Sequence, residues 1–123
     1  MSIRIAAGIC IVAFAAFLIA QPVMVADWLG KPHDTGPRLI NLRASWGGTL
    51  LGVGAFAIWC RTLRPWPRTL VGLLGWAMVG IGLARLVGFA IDGDPDTRQW
   101  IWITAEAAIV VACAAALRTK LRR

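Results

Sequence analysis

The sequence has no tyrosine, one histidine, three cysteines and six acidic residues in 123 positions. Each scarcity removes a class of chemistry. His33 stands beside Asp34 without the further donors that a zinc site or a catalytic pair needs, so it reads as a solvated loop residue. Cys10, Cys60 and Cys113 show no Cys-x-x-Cys spacing and are odd in number, so redox and metal chemistry have no support and small apolar fillers are expected. There is no phosphate-cradling glycine loop, no nucleophile elbow and no zinc-ligand spacing, and neither metal nor cofactor is expected. Glu106 is the one acid placed to serve as a general acid or base, and no partner for such work stands near it in sequence. The formal net charge is +7, yet the basic residues sit in short segments and at the termini. A nucleic-acid binder needs them spread over one folded face, so no nucleic-acid partner is expected.

What remains is apolar. Hydrophobic residues make up 59% of the chain and mean hydropathy is +0.70, against roughly 45–50% apolar residues in soluble proteins. A domain this small buries too little of its surface to hide that share from water. Four runs, Ile5–Val25, Leu39–Trp59, Leu70–Ile91 and Trp100–Leu117, each have about the 20 residues that cross a ~30 Å hydrocarbon layer as helix. The expectation is an all-α fold, a four-transmembrane-helix up-down-up-down bundle forming a single integral membrane domain over residues 1–123. Trp28, Trp66, Trp100 and Trp102 lie at or near the span ends, as an interfacial belt requires. Cleavage of the first run as a signal peptide is disfavoured by its length and by the poor site at Leu18-Ile19-Ala20, followed by Gln21-Pro22.

Arg4, Arg61, Arg64, Arg68, Arg118, Lys120, Arg122 and Arg123 fall on one side of this topology, and Lys31, Arg38 and Arg98 on the other, eight against three. The positive-inside rule then predicts a multi-pass protein of the cell membrane with both termini cytoplasmic. The basic tail from Arg118 would hold the last helix to anionic lipids, which makes membrane lipids the expected immediate partners.

Local signals mark the helix starts. Gly36-Pro37 opens the second span. Asp94-Pro95-Asp96 opens the fourth, with Asp94 as N-cap and Pro95 at the first position. Arg64-Pro65-Trp66-Pro67-Arg68 reads as a stiff extended turn between spans two and three. Small residues recur every fourth position, as Ala44, Gly48 and Gly52 and as Gly80, Ala84 and Gly88, the spacing at which membrane helices approach closely. Either both stripes pack within the chain, or one of them serves a second copy. The alanines between Ala105 and Ala116 fit close packing as well.

Asn41, Arg43, Arg85 and Glu106 are the polar residues that interrupt the spans. An ionisable group at mid-span costs about 2.5–3.5 kcal/mol, so such groups turn inward and pair. From the helical rise, Arg43 lies about 6 Å, Arg85 about 9 Å and Glu106 about 9–12 Å below the same predicted surface. Three helices thus deliver charge to one level. Asp92, seven residues beyond Arg85, shares its face nearer the surface, and Gln99 and Trp102 share a face with Glu106. Asn41 points to a different side from Arg43, toward backbone groups near its helix start. Two readings stay open. In one, Glu106 and Asp92 each hold an arginine and the network pins the helices. In the other, two guanidiniums against one deep carboxylate leave a positive surplus for an anionic ligand or lipid. Docking of another membrane protein is a third use.

Asn41-Leu42-Arg43-Ala44 with Gly47-Gly48, Gly82-Leu83-Ala84-Arg85 running to Asp92-Gly93-Asp94-Pro95, and Glu106 together resemble the small bacterial membrane proteins grouped as domain of unknown function 4345. The likeness covers nearly the whole chain and implies a four-helix integral membrane fold without supplying an activity. The small multidrug transporters, of similar length, carry their essential glutamate in the first span, where Ile5–Val25 has no acid. The functional expectation is therefore a non-enzymatic structural or accessory subunit, homo-oligomeric or part of a larger membrane complex. The alternative is binding or transport of an anionic ligand or lipid at the outward-facing Arg/Glu cluster.

Overall fold

A computed structural model describes residues 1–32, 36–93 and 95–121. His33, Asp34 and Asp94 lie outside the described residues, and the readings placed on them go no further. All regular structure among the described residues is helical.

Helix α1 covers Ile3–Ala20, with the Ser2 hydroxyl accepting from the Ile5 amide at 3.4 Å. It stops short of the expected Val25 because Pro22 lacks an amide hydrogen and forces Gln21 out of helical geometry, to φ −125° and ψ 62°. The chain re-enters as a short helix α2, Pro22–Leu29, closed by Gly30 in the left-handed region at φ 64°. The second run is one continuous coil in three parts: α3 (Gly36–Leu42), a π-helical stretch Arg43–Gly48, and α4 (Thr49–Trp59). At the end of the π stretch the Thr49 hydroxyl donates to the Ser45 carbonyl at 2.6 Å and the Thr49 amide to the Trp46 carbonyl.

Helix α5 spans Trp66–Asp92. The expected extended turn therefore ends earlier than its proline pattern implies. Pro65 is the cap and Pro67 sits in the first turn, where a missing amide hydrogen costs nothing. Helix α6 spans Thr97–Leu121 and is capped by Asp96, whose carboxylate accepts from the Gln99 amide at 3.0 Å. Pro95 precedes the helix instead of opening it.

Three helices are long and apolar enough to cross a membrane: Ile3–Ala20, Trp66–Asp92 and Thr97–Thr119. The Gly36–Trp59 coil falls outside that set because the π-helical stretch divides it. Neighbouring helices run antiparallel in a row. α1 lies along the π stretch and α4, these lie along α5, and α6 lies along α5.

Glycine sets the spacing of the first three members of the row. A Cβ at Gly48 would stand 2.7 Å from the Ile81 Cα, one at Gly52 would stand 2.5 Å from the Ala77 Cα, and one at Gly80 would strike the Gly48 carbonyl. Further along the same seam, Ala84 lies against Gly48 and Gly88 against Ile40. Ala44 and Ala84 are fully buried. Both small-residue stripes thus face each other inside one chain. On the other side of α4, Gly54 meets the Gly8 carbonyl, and Gly47 meets α1 at Ala15 and Ile19. α6 meets α5 through side chains instead of backbone: a Cβ at Gly75 would stand 3.1 Å from the Cys113 Cβ and one at Gly82 3.7 Å from the Ile103 side chain. The antiparallel helices lie in a row, with α6 at its edge.

Candidate functional site

The polar residues gather where α1, α3 and the π stretch, α5 and α6 end on one side of the row. They form two neighbouring clasps. In the first, Arg43 projects from the π stretch and holds Asp92 through two bonds, Nε to Oδ2 at 2.9 Å and Nη2 to Oδ1 at 3.1 Å. Both side chains are about 95% buried. Asp92 is the last residue of α5, at the negative end of the helix dipole, so a carboxylate there needs a cation. Arg43 also donates to the Ile19 carbonyl, in the last turn of α1 just before the Pro22 break. One side chain therefore joins three segments.

The second clasp is centred on Arg85. Its Nη2 donates to Glu106 Oε1 at 2.7 Å, and its Nε lies 3.1 and 3.2 Å from the two carboxylate oxygens. Its Nη1 donates to Asn41 Oδ1 at 3.1 Å and to Gln99 Oε1. The Gln99 amide nitrogen returns to Asn41 Oδ1 at 3.0 Å and to the Pro37 carbonyl at 3.4 Å. All three nitrogens of each guanidinium are engaged, and among the described residues no buried side-chain polar atom lacks a partner. In a low-dielectric interior this full satisfaction lets the charges stay buried.

Asn41, Arg85 and Glu106 are thus brought together, and Arg43 joins Asp92 beside them. Asn41 bonds side chains of α5 and α6, not backbone near its own helix start. The Asp92 side chain is as buried as that of Glu106, and each of the two arginines has its own carboxylate. Gln99, only 1% exposed, is a member that the sequence reading left out of the site. Its signal was present in the shared face with Glu106, obscured because an amide near a helix start looks like surface.

Beside the second clasp, an open groove of about 590 Å³ runs between the second coil and α6. Asn41, Ser45 and Thr49 form one polar wall, Trp102 and Glu106 the other, and Arg85 lies in its floor. The outer face of α6 is bare: Ala105, Ala108, Ala112 and Ala115 are exposed, and in its most apolar stretch only 11% of residues are buried, against 28% in α5. Among the described residues no group of three His, Cys, Asp or Glu side chains is placed to hold a metal ion.

A family model described as Domain of unknown function (DUF4345) matches residues 2–117. No curated protein and no solved structure matches the chain significantly.

Proposed function

The chain belongs to the family of domain of unknown function DUF4345, and from that premise we propose a four-span membrane protein that works by assembly, not catalysis. Both termini face the cytoplasm, and the unit associates through α6 with a second copy or with another membrane protein. The supporting observation is the division of α6 into two faces. Gln99 and Glu106 turn inward and are consumed by Arg85 and Asn41, while Ala105, Ala108, Ala112 and Ala115 face outward uncovered. Small residues at a heptad-like spacing let a second helix approach until backbones touch. Bare apolar side chains on the other helices, Phe14, Leu74 and Leu83 among them, suit lipid and would be untenable in water.

Single cysteines at Ala108 and Ala112, in a chain with Cys10 replaced by serine, test this in native membranes. Oxidation should give cross-linked species of twice the protomer mass or of a defined larger complex. A cysteine at Ile9 on α1 should give none. If the α6 cysteines stay uncross-linked while the protein runs as a monomer in mild detergent, assembly through α6 fails.

A second reading is favoured by the groove: its Asn41, Ser45 and Thr49 wall suits a hydrogen-bonding lipid head group. An anionic ligand there has to draw Arg85 away from Glu106, whereas a neutral one leaves the pair intact. Replacing Ser45 and Thr49 with valine should abolish selective lipid retention if this reading holds, and leave the cross-linking pattern unchanged.

A further inference from the structure

At the opposite end of the row from the clasps, the segment between α4 and α5 encloses a cleft of about 570 Å³ lined by Trp59, Arg61, Arg64, Arg68 and Thr69. It differs from the clasped site in a decisive respect. The side chains of Arg61, Arg64 and Arg68 make no hydrogen bond or ion pair among the described residues. Nor does the sequence offer them a carboxylate. The six acids are Asp27, Asp34, Asp92, Asp94, Asp96 and Glu106. Asp92 alone is 24 residues along α5 from Arg68, about 36 Å of helix. The cleft also holds the N-terminus of α5, which has no side-chain cap, adding its partial positive charge to the three guanidiniums. Thr69 is turned aside onto the Leu63 carbonyl at 2.8 Å and supplies no neutralising group.

A second, apolar slot of about 430 Å³ adjoins this cleft, and Cys60, Arg61 and Thr62 border both. Its remaining lining includes Val53, Phe56, Leu63 and Leu73. An unneutralised basic cleft opening into an apolar slot matches an amphipathic anion, with phosphate at one end and hydrocarbon at the other. We propose that this junction is a binding site for an anionic phospholipid. The phosphate lies among Arg61, Arg64 and Arg68, and an acyl chain runs down the Val53–Leu73 slot. The arginine fork suits a phosphate geometrically as well as by charge, and basic pockets between membrane helices hold such head groups. A free inorganic phosphate shares the head-group chemistry but gains nothing from the slot. The site's position at a bilayer surface rests on the four-span reading; its ligand chemistry does not.

The test uses the purified full chain in a neutral detergent, read by native mass spectrometry with added phosphatidylglycerol or phosphatidylcholine. The wild type should retain phosphatidylglycerol at least tenfold better. R61Q/R64Q should lose about twenty-fivefold in that affinity, about fivefold for each arginine removed. Both side chains are exposed and unbonded, so folding should be unaffected, which circular dichroism confirms independently. R98Q, which removes a positive charge at the other end, should bind as the wild type does. Inorganic phosphate in hundredfold excess should leave the lipid bound. Equal retention of the two lipids, undiminished binding by R61Q/R64Q, or displacement by inorganic phosphate at concentrations equal to the lipid would each overturn the proposal. The α6 cross-linking result is independent of all three.

Discussion

The clasp at Arg85 makes a quantitative prediction through a double-mutant cycle with Glu106. Replacing Arg85 by methionine keeps the length of the side chain and removes every donor that the Glu106 carboxylate has from this partner. An uncompensated buried carboxylate costs about 3–5 kcal/mol, a large part of the roughly 5–15 kcal/mol that holds a domain together. Replacing Glu106 by methionine should cost less, about 2–3 kcal/mol, because Asn41 Oδ1 and Gln99 Oε1 still accept from the guanidinium. With both changed, no charge is stranded. The Gln99–Asn41 bond survives and only Gln99 Oε1 loses its donor, so the double variant should lose about 1–2 kcal/mol. The coupling is then at least about 3 kcal/mol, well above the ~0.5 kcal/mol within which independent sites add. Reversible unfolding in mixed micelles, followed by tryptophan fluorescence, measures all four species. Additive losses would refute the clasp, as would a double variant less stable than R85M.

Three smaller perturbations probe other parts of the row. Gly80→Ala should drive α4 from α5 and lower stability by about 1–3 kcal/mol, because its Cβ meets backbone and no flexible side chain can move aside; the same unfolding assay checks it. Arg4→Met should cost about 1.5–3 kcal/mol, since Arg4 Nη1 donates to the Ala57 and Ile58 carbonyls at 2.7 and 2.5 Å and so caps the end of α4. Asp96→Ala should remove about 1 kcal/mol by uncapping α6, and hydrogen exchange should rise at the Gln99 amide ahead of any global loss.

Much of this was legible in the sequence because long apolar helices are coarse signals. Long apolar runs locate the coils, and glycine every fourth residue marks the seam between the second and third. That Glu106 and Asp92 would each hold an arginine was one reading the sequence allowed, because buried charge at a shared level has few other ways to be satisfied, but which arginine takes which acid was not legible. The break at Pro22 was overrun because hydropathy averages across a single missing amide hydrogen. The cap at Asp96 was assigned two residues early because Asp94-Pro95 carries a similar signature. The π-helical stretch was invisible, since helical-face arguments assume an unbroken 3.6-residue period. The open edge at α6 was equally hidden: sequence periodicity tells which face of a helix is apolar, but not whether a neighbour of the same chain covers it.

The unequal spacing of the row has a mechanical consequence. Backbone-to-backbone glycine contacts lock α1, the second coil and α5 into a stiff plank, while α6 rests on α5 through side chains, fastened by Gln99 and Glu106 near one end and by buried Cys113 against Gly75 further along. Only the segment beyond Cys113 is a lever. Thr119 lies 6 residues from Cys113, an arm of about 9 Å, so a tilt of about 10° there would carry the free end about 1.6 Å and leave the ion pair in place.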